Sequence, residues 1–124
     1  MERPGFMEAL GFFIERADEE VAVVRMDVPP ALMSPFGAVH GGVIAALFDT
    51  GLAIAIARHV AAADRIATHN LNVTYVAFAK GHVLHCHARV VSVRRSVAIA
   101  EGEVTSDAGT LVAKALGTFG LRRA

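Results

Sequence analysis

The sequence predicts an α+β protein: an antiparallel sheet of about five or six strands curved around one long central helix. Three observations carry this. Residues 39–57, VHGGVIAALFDTGLAIAIA, are rich in Ala, Leu and Ile and long enough for several helical turns, so helix prevails over strand. From Arg65 onward the chain reads only as strands, β-branched-rich and separated by turn signals. The joins between them are short, which implies antiparallel neighbours in a meander. One face of such a sheet packs on the helix. The other needs polar side chains or a second subunit as cover.

The elements follow in order. PGFMEAL at 4–10 suits a short helix after Pro4. FFIERA and EEVAVVRMDV, between Phe12 and Val28, read as strands with Asp18 and Glu19 at the turn. PPALMSPFGAV, with three prolines and a glycine, is a loop. In the long helix, apolar residues occupy every face, as in a helix surrounded by protein. His59 and the AAAD after it close that element. The strands RIATHNLNVTYVAFA, HVLHCHARVVSV, SVAIAEGEVTS and TLVAKALGTFGL are joined by AKGH, RRS and SDAG. No repeat or linker interrupts them, and 124 residues suit one domain over 1–124.

Hydrophobic residues make up 54% of the chain. A small domain has a large surface for its volume, so not all of this area can be buried in a monomer. Subunit interfaces are the expected cover. The 12 basic and 12 acidic residues balance, leaving no electrostatic footprint for nucleic acid or an acidic membrane. Cys86 is the only cysteine, so no intrachain disulfide forms, which fits a reducing cytoplasm. The N-terminal stretch shows no signal-peptide pattern. The apolar run at 43–57 is shorter than the roughly 20 residues a bilayer needs, and Asp49 interrupts it. The expectation is a soluble, cytoplasmic protein.

Asp49 stands out in this greasy helix. Buried Asp is rare unless paired, and no basic residue lies within one helical turn of it. Either a partner comes from elsewhere in the fold, or Asp49 faces a water-containing cleft as a general base or nucleophile. Gly41 and Gly42 open the helix with backbone N–H groups uncovered by side chains, where the helix start supplies free donors and partial positive charge. Such donors suit a developing oxyanion. A flexible or closely packed helix start is the plainer alternative. Asp49 lies eight residues beyond Gly41, about 12 Å along the axis. The two cannot grip one small group within a straight helix. If they act together, they come from different subunits of a two-fold dimer.

HGGVIAALFDTGLAIAI resembles the hotdog-fold acyl-CoA thioesterases, in particular their phenylacetate-degradation (PaaI-like) branch. The family pattern is roughly N-x-x-G-x-x-H-G-G, then an acid nine residues after the His. Gly37, His40, Gly41, Gly42 and Asp49 match it in register, and the later strands extend the resemblance over about residues 12–121. The resemblance implies a hotdog fold and an acyl-CoA thioesterase without metal or cofactor, working as a homodimer and further as a dimer of dimers. It implies Asp49 as base or nucleophile toward the thioester carbonyl. It implies that the Gly41 N–H of the other subunit polarises that carbonyl, with Gly42 beside it on the substrate. His40 would shape the site, and Thr68 would help hold the attacking water. Arg94, Arg95 and Ser96 would lie in a turn lining the coenzyme A nucleotide. A plain solvated turn explains the arginine pair equally well.

One position departs. Where the family often has Asn six residues before the His, this chain has Ser34, a shorter side chain that donates one hydrogen bond. Losing an oxyanion donor costs about two to three orders of magnitude in rate. The departure keeps open a non-catalytic acyl-CoA-binding or sensing module; a hotdog hydratase or dehydratase is the other alternative. HVLHCH groups His82, His85, Cys86 and His87. On a strand, His85 and His87 share one face and Cys86 takes the other, so metal ligands would not converge. Cys86 reads as a buried small residue rather than a nucleophile. His59 suits the helix C-terminal dipole. His69 and Asn70 either line the pocket or alternate outward. The acyl pocket is expected to involve Phe36, Leu47, Phe48 and Ile54.

Overall fold

The alternating stretches do become strands, and the Ala/Leu/Ile run becomes the one long helix. A computed structural model describes residues 4–124. The short helix α1 (Gly5–Leu10) leads into β1 (Phe12–Ala17) and β2 (Ala22–Asp27). The loop that follows contains a single 3-10 turn at Pro30–Leu32 and a bridge between Met33 and Val39. Then come α2 (Gly41–Ala57), β3 (Arg65–Tyr75), β4 (Val83–Val93), β5 (Val97–Ser106) and β6 (Leu111–Arg122).

The six strands form one antiparallel sheet in the order β1-β2-β4-β5-β6-β3. β4, β5 and β6 are the meander that their short joins imply. β3 departs from it: it lies not beside β4 but at the far edge, paired with β6 from Arg65 opposite Arg122 to Tyr75 opposite Ala113. Tight hairpins use joins of about two to five residues. Here residues 76–82 separate the two strands. The Val76 and Ala77 N–H groups still donate to the Val112 carbonyl, so the chain leaves β3 tied to β6 before crossing.

α2 packs on one face of this sheet. Its buried residues, Ile44, Leu47, Phe48, Gly51, Leu52, Ala55 and Ile56, recur at helical spacing. Val43, Ala46, Ala53 and Ile54 on the other side are only half-buried. The enclosure on every face that the composition implies is therefore not completed within one chain, because one sheet covers one side of a helix. The helix sits close because small residues face it. A Cβ on Gly51 would lie 2.8 Å from Cys86 Sγ, and one on Gly117 would lie 2.8 Å from both Leu52 Cδ1 and Phe119 Cε1. Gly117→Val is expected to destabilise the fold by about 1–3 kcal/mol through overpacking, measured by thermal or denaturant unfolding.

Among the described residues no strand pairs with the outer edge of β3, 11 residues long, the kind of edge that recruits another strand. Near its end Val76 and Phe78 are exposed, as is Phe36 in the preceding loop. No helix among the described residues is long and apolar enough to cross a membrane.

Candidate functional site

The first cluster forms at the start of α2. His40 caps the helix: its Nδ1 accepts from the Gly42 N–H at 2.9 Å. That bond fixes the ring's role at Nδ1 as acceptor. The His40 carbonyl accepts from Val43 and Ile44. Among the described residues, the Gly41 N–H has no partner. It is the free donor that the Gly-Gly start implies. The Gly41 carbonyl accepts from the Tyr75 hydroxyl at 2.5 Å. A cleft of about 280 Å³ opens here, lined in part by Ser34, His40, Gly41, Ile44, Tyr75 and Phe78.

Ser34 does reach this cleft, but its oxygen serves the loop. Its Oγ accepts from the Phe36 N–H at 3.3 Å and the Ala38 N–H at 3.4 Å. Its own N–H donates to the Ala38 carbonyl. This local turn is the kind that Ser side chains favour.

The second cluster lies two turns along α2. Asp49 is half-buried, and its Oδ1 accepts from the Thr68 hydroxyl at 2.6 Å. Among the described residues no cation pairs with it. The tertiary ion-pair partner that would have explained Asp49 structurally is absent there. Oδ1 is thus oriented, and among the described residues Oδ2 has no hydrogen-bond partner.

A bulge in β3 makes this possible. The register with β6 shifts between Thr68 and Asn70, so His69 is the extra residue. Without it, Thr68 and Tyr75, seven apart, would point to opposite faces. The bulge switches the alternation, and both hydroxyls face α2. His69 itself turns outward over Gly120, where a Cβ would meet its ring. Strand alternation alone hides Tyr75, and the sequence reading missed it.

Arg94, Arg95 and Ser96 occupy the exposed β4–β5 turn, apart from both clusters. The turn is tied down by Arg123, which donates to the Arg95 carbonyl at 2.9 Å and the Arg94 carbonyl at 2.7 Å. Arg123 also pairs with Asp64 at 3.1 Å. The Ala124 N–H above all, then Arg123 and the Ala61 N–H, hold the Asp64 carboxyl below the usual aspartate range despite its desolvation. Its stabilising contribution is present above the ordinary aspartate pKa and is lost as the pH falls through the lowered folded value. Ser96 lines a shallow cleft with Arg65, His69 and Arg122, so His69 of the bulge borders the basic turn.

His85 and His87 share the outer face of β4, and Cys86 is buried on the other side, as alternation requires. Burial pushes the Cys86 thiol up to about 12. A thiol reagent is expected to leave Cys86 unmodified in the folded protein and to modify it after denaturation. His59 Nε2 donates to the Glu19 carbonyl at 3.0 Å, which ties the end of α2 to the β1–β2 turn.

The six-stranded sheet around one helix is the hotdog fold. Residues 36–113 match the family model described as the Thioesterase superfamily, and the chain belongs to that superfamily. A relative from Halobacterium salinarum, named "Putative esterase", is 35% identical over 111 residues, covering 86% of this chain and 73% of its own. A crystal structure of a Bacillus halodurans protein with CoA is similar at 31% identity and a TM-score of 0.77, over 80% of this chain and 70% of that one. A phenylacetic acid degradation-related protein of Ralstonia eutropha is similar at 27% identity and a TM-score of 0.89, over 97% and 92% of the two chains.

Proposed function

We propose that the protein is an acyl-CoA thioesterase whose active site is shared between two chains. The observation that carries this is the Asp49–Thr68 pair: a half-buried carboxylate with a hydroxyl on one oxygen and no cation among the described residues. The free Gly41 N–H supplies the second requirement, a preorganised donor for a carbonyl oxygen that gains charge.

The two parts lie about 12 Å apart along α2, so one chain does not bring them together. Antiparallel pairing of the free β3 edge with its symmetry copy does. A two-fold axis at Asn72 sets Thr68 of one chain opposite Tyr75 of the other, because with the bulged His69 left out each stands three ladder positions from that centre. Each Asp49–Thr68 pair then approaches the partner's Gly41, twice by symmetry. The same contact covers the unpaired strand and the half-buried side of α2. Light scattering is expected to give twice the 13.1 kDa chain mass, or four times for a dimer of dimers.

In this site the thioester carbonyl accepts from Gly41. Asp49 of the other chain takes a proton from water, whose oxygen attacks the carbonyl carbon, or attacks that carbon itself to form an anhydride that water then opens. The C–S bond breaks, and coenzyme A leaves as the thiol after taking up a proton. The products are the free acid and CoA. His40 holds the helix start, Gly42 flanks the carbonyl, and Ser34 bounds the cleft. Arg94, Arg95 and Ser96 receive the nucleotide end, beside Arg65 and Arg122. The single buried, inert thiol suits a cytoplasmic setting.

A panel of aromatic and aliphatic acyl-CoAs, followed with a thiol reagent, tests the reading. Release of CoA supports it. Binding without release points to an acyl-CoA-binding module, and turnover only of enoyl or β-hydroxyacyl chains without CoA release points to a hydratase or dehydratase.

A further inference from the structure

We infer that Tyr75 is a positioning residue for the oxyanion donor, acting through the peptide that joins Gly41 to Gly42. This inference rests on the thioesterase reading above. Two consecutive glycines make a poor platform for a donor that must be held in place, since glycine has the most conformational freedom to lose. The first turn of a helix is also its least restrained part. In this chain both polar ends of the peptide are held. Its oxygen, on Gly41, takes the Tyr75 hydroxyl at 2.5 Å, and its N–H, on Gly42, is held by His40 at 2.9 Å. The phenol ring also packs on Gly41, with Cζ and the hydroxyl oxygen each 3.4 Å from where a Cβ would stand. What remains unheld is the preceding N–H, that of Gly41. The clamp therefore fixes the plane next to the free donor and leaves the donor itself unoccupied.

The anchor is itself stiff. Tyr75 ends β3 opposite Ala113 of β6, and the next two N–H groups both donate to Val112. Through the bulge at His69, the same strand carries Thr68 on Asp49 and Tyr75 on Gly41. One strand thus sets the position of both halves of the site, and its edge is the one proposed to pair with the partner. A hydroxyl that only stabilised the helix would be worth little to turnover. One that preorganises a donor is worth rate at unchanged substrate affinity.

Tyr75→Phe keeps the ring and removes the hydroxyl. The expected result is a kcat about tenfold lower with KM within about twofold of wild type. Amide hydrogen exchange at Gly42, measured on the same two proteins, is expected to be about tenfold faster while the amides of β5 stay unchanged. Unchanged exchange at Gly42 overturns the clamp, whatever the activity. Faster exchange with unaltered kcat overturns the catalytic part, as does a rise in KM at constant kcat, which would make the ring a wall of the substrate cleft. A wild-type protein inert toward every acyl-CoA overturns the functional reading, and with it the catalytic part; the exchange result then judges the clamp alone.

Discussion

On the proposed mechanism, Asp49→Ala is expected to lower acyl-CoA hydrolysis by about 10²–10⁴-fold or more, the range for removing a group that transfers a proton in the transition state. The fold is expected to survive. Asp49 has one hydrogen-bond partner, Thr68, and pairs with no cation among the described residues. Losing a hydrogen bond to a charged group costs roughly 1.5–3 kcal/mol. Alanine returns up to about 0.7 kcal/mol of helix propensity. Unfolding measured by circular dichroism should therefore shift only modestly. Asp49→Asn sharpens the test. It keeps the size and can still accept from Thr68, but the amide cannot take a proton. If Asn restores turnover, Asp49 serves only as a structural acceptor.

Gly41→Pro is the second large expected effect, about 10²–10³ in kcat with KM little changed. It deletes a single N–H at the first position of α2, where proline is well tolerated. His40 has φ −58° and ψ 133°, the conformation that a following proline favours. A Cβ at this position meets the Tyr75 ring and hydroxyl oxygen at ordinary contact, 3.4 Å. Gly41→Ala is the control, since it adds a Cβ and keeps the N–H. Equal losses in the two variants would mean that crowding, not the missing donor, slows the enzyme.

Much of the fold was legible because it is local. In HVLHCHARV the alternation places Leu84, Cys86 and Ala88 inward and His85, His87 and Arg89 outward, and the burial of β4 follows it. The pairing of β3 was not legible: the short joins place it beside β4, and it pairs with β6. A strand's partner is a choice between distant segments, and the pattern inside RIATHNLNVTY is silent about whether β4 or β6 takes it. The site divides in the same way. His40, Gly41, Gly42 and Asp49 share one helix, so their spacing could be converted into a distance. That Thr68 stands near Asp49 followed only from the resemblance, and its hydrogen bond to the carboxylate did not. Tyr75 was hidden by an odd separation from Thr68, which alternation assigns to the opposite face. One unpaired residue, His69, reverses that assignment, and no local signal in THN marks the bulge. The all-round apolar character of α2 reads as a helix surrounded by protein, and one chain covers only part of it. Its half-buried side now marks where the copy is proposed to pack.

The most direct measurement mixes two defective proteins. Asp49→Ala and Gly41→Pro, each nearly inactive alone, are unfolded together, refolded in equal amounts and assayed for acyl-CoA hydrolysis. In a two-chain site, half of the dimers are mixed, and each mixed dimer holds one site with both Asp49 and the Gly41 N–H intact. Activity should return to about one quarter of the wild-type value. If each site is built within one chain, no mixed dimer holds an intact site. Activity that stays at the level of the separate variants, in a sample shown to contain mixed dimers, would contradict the shared site.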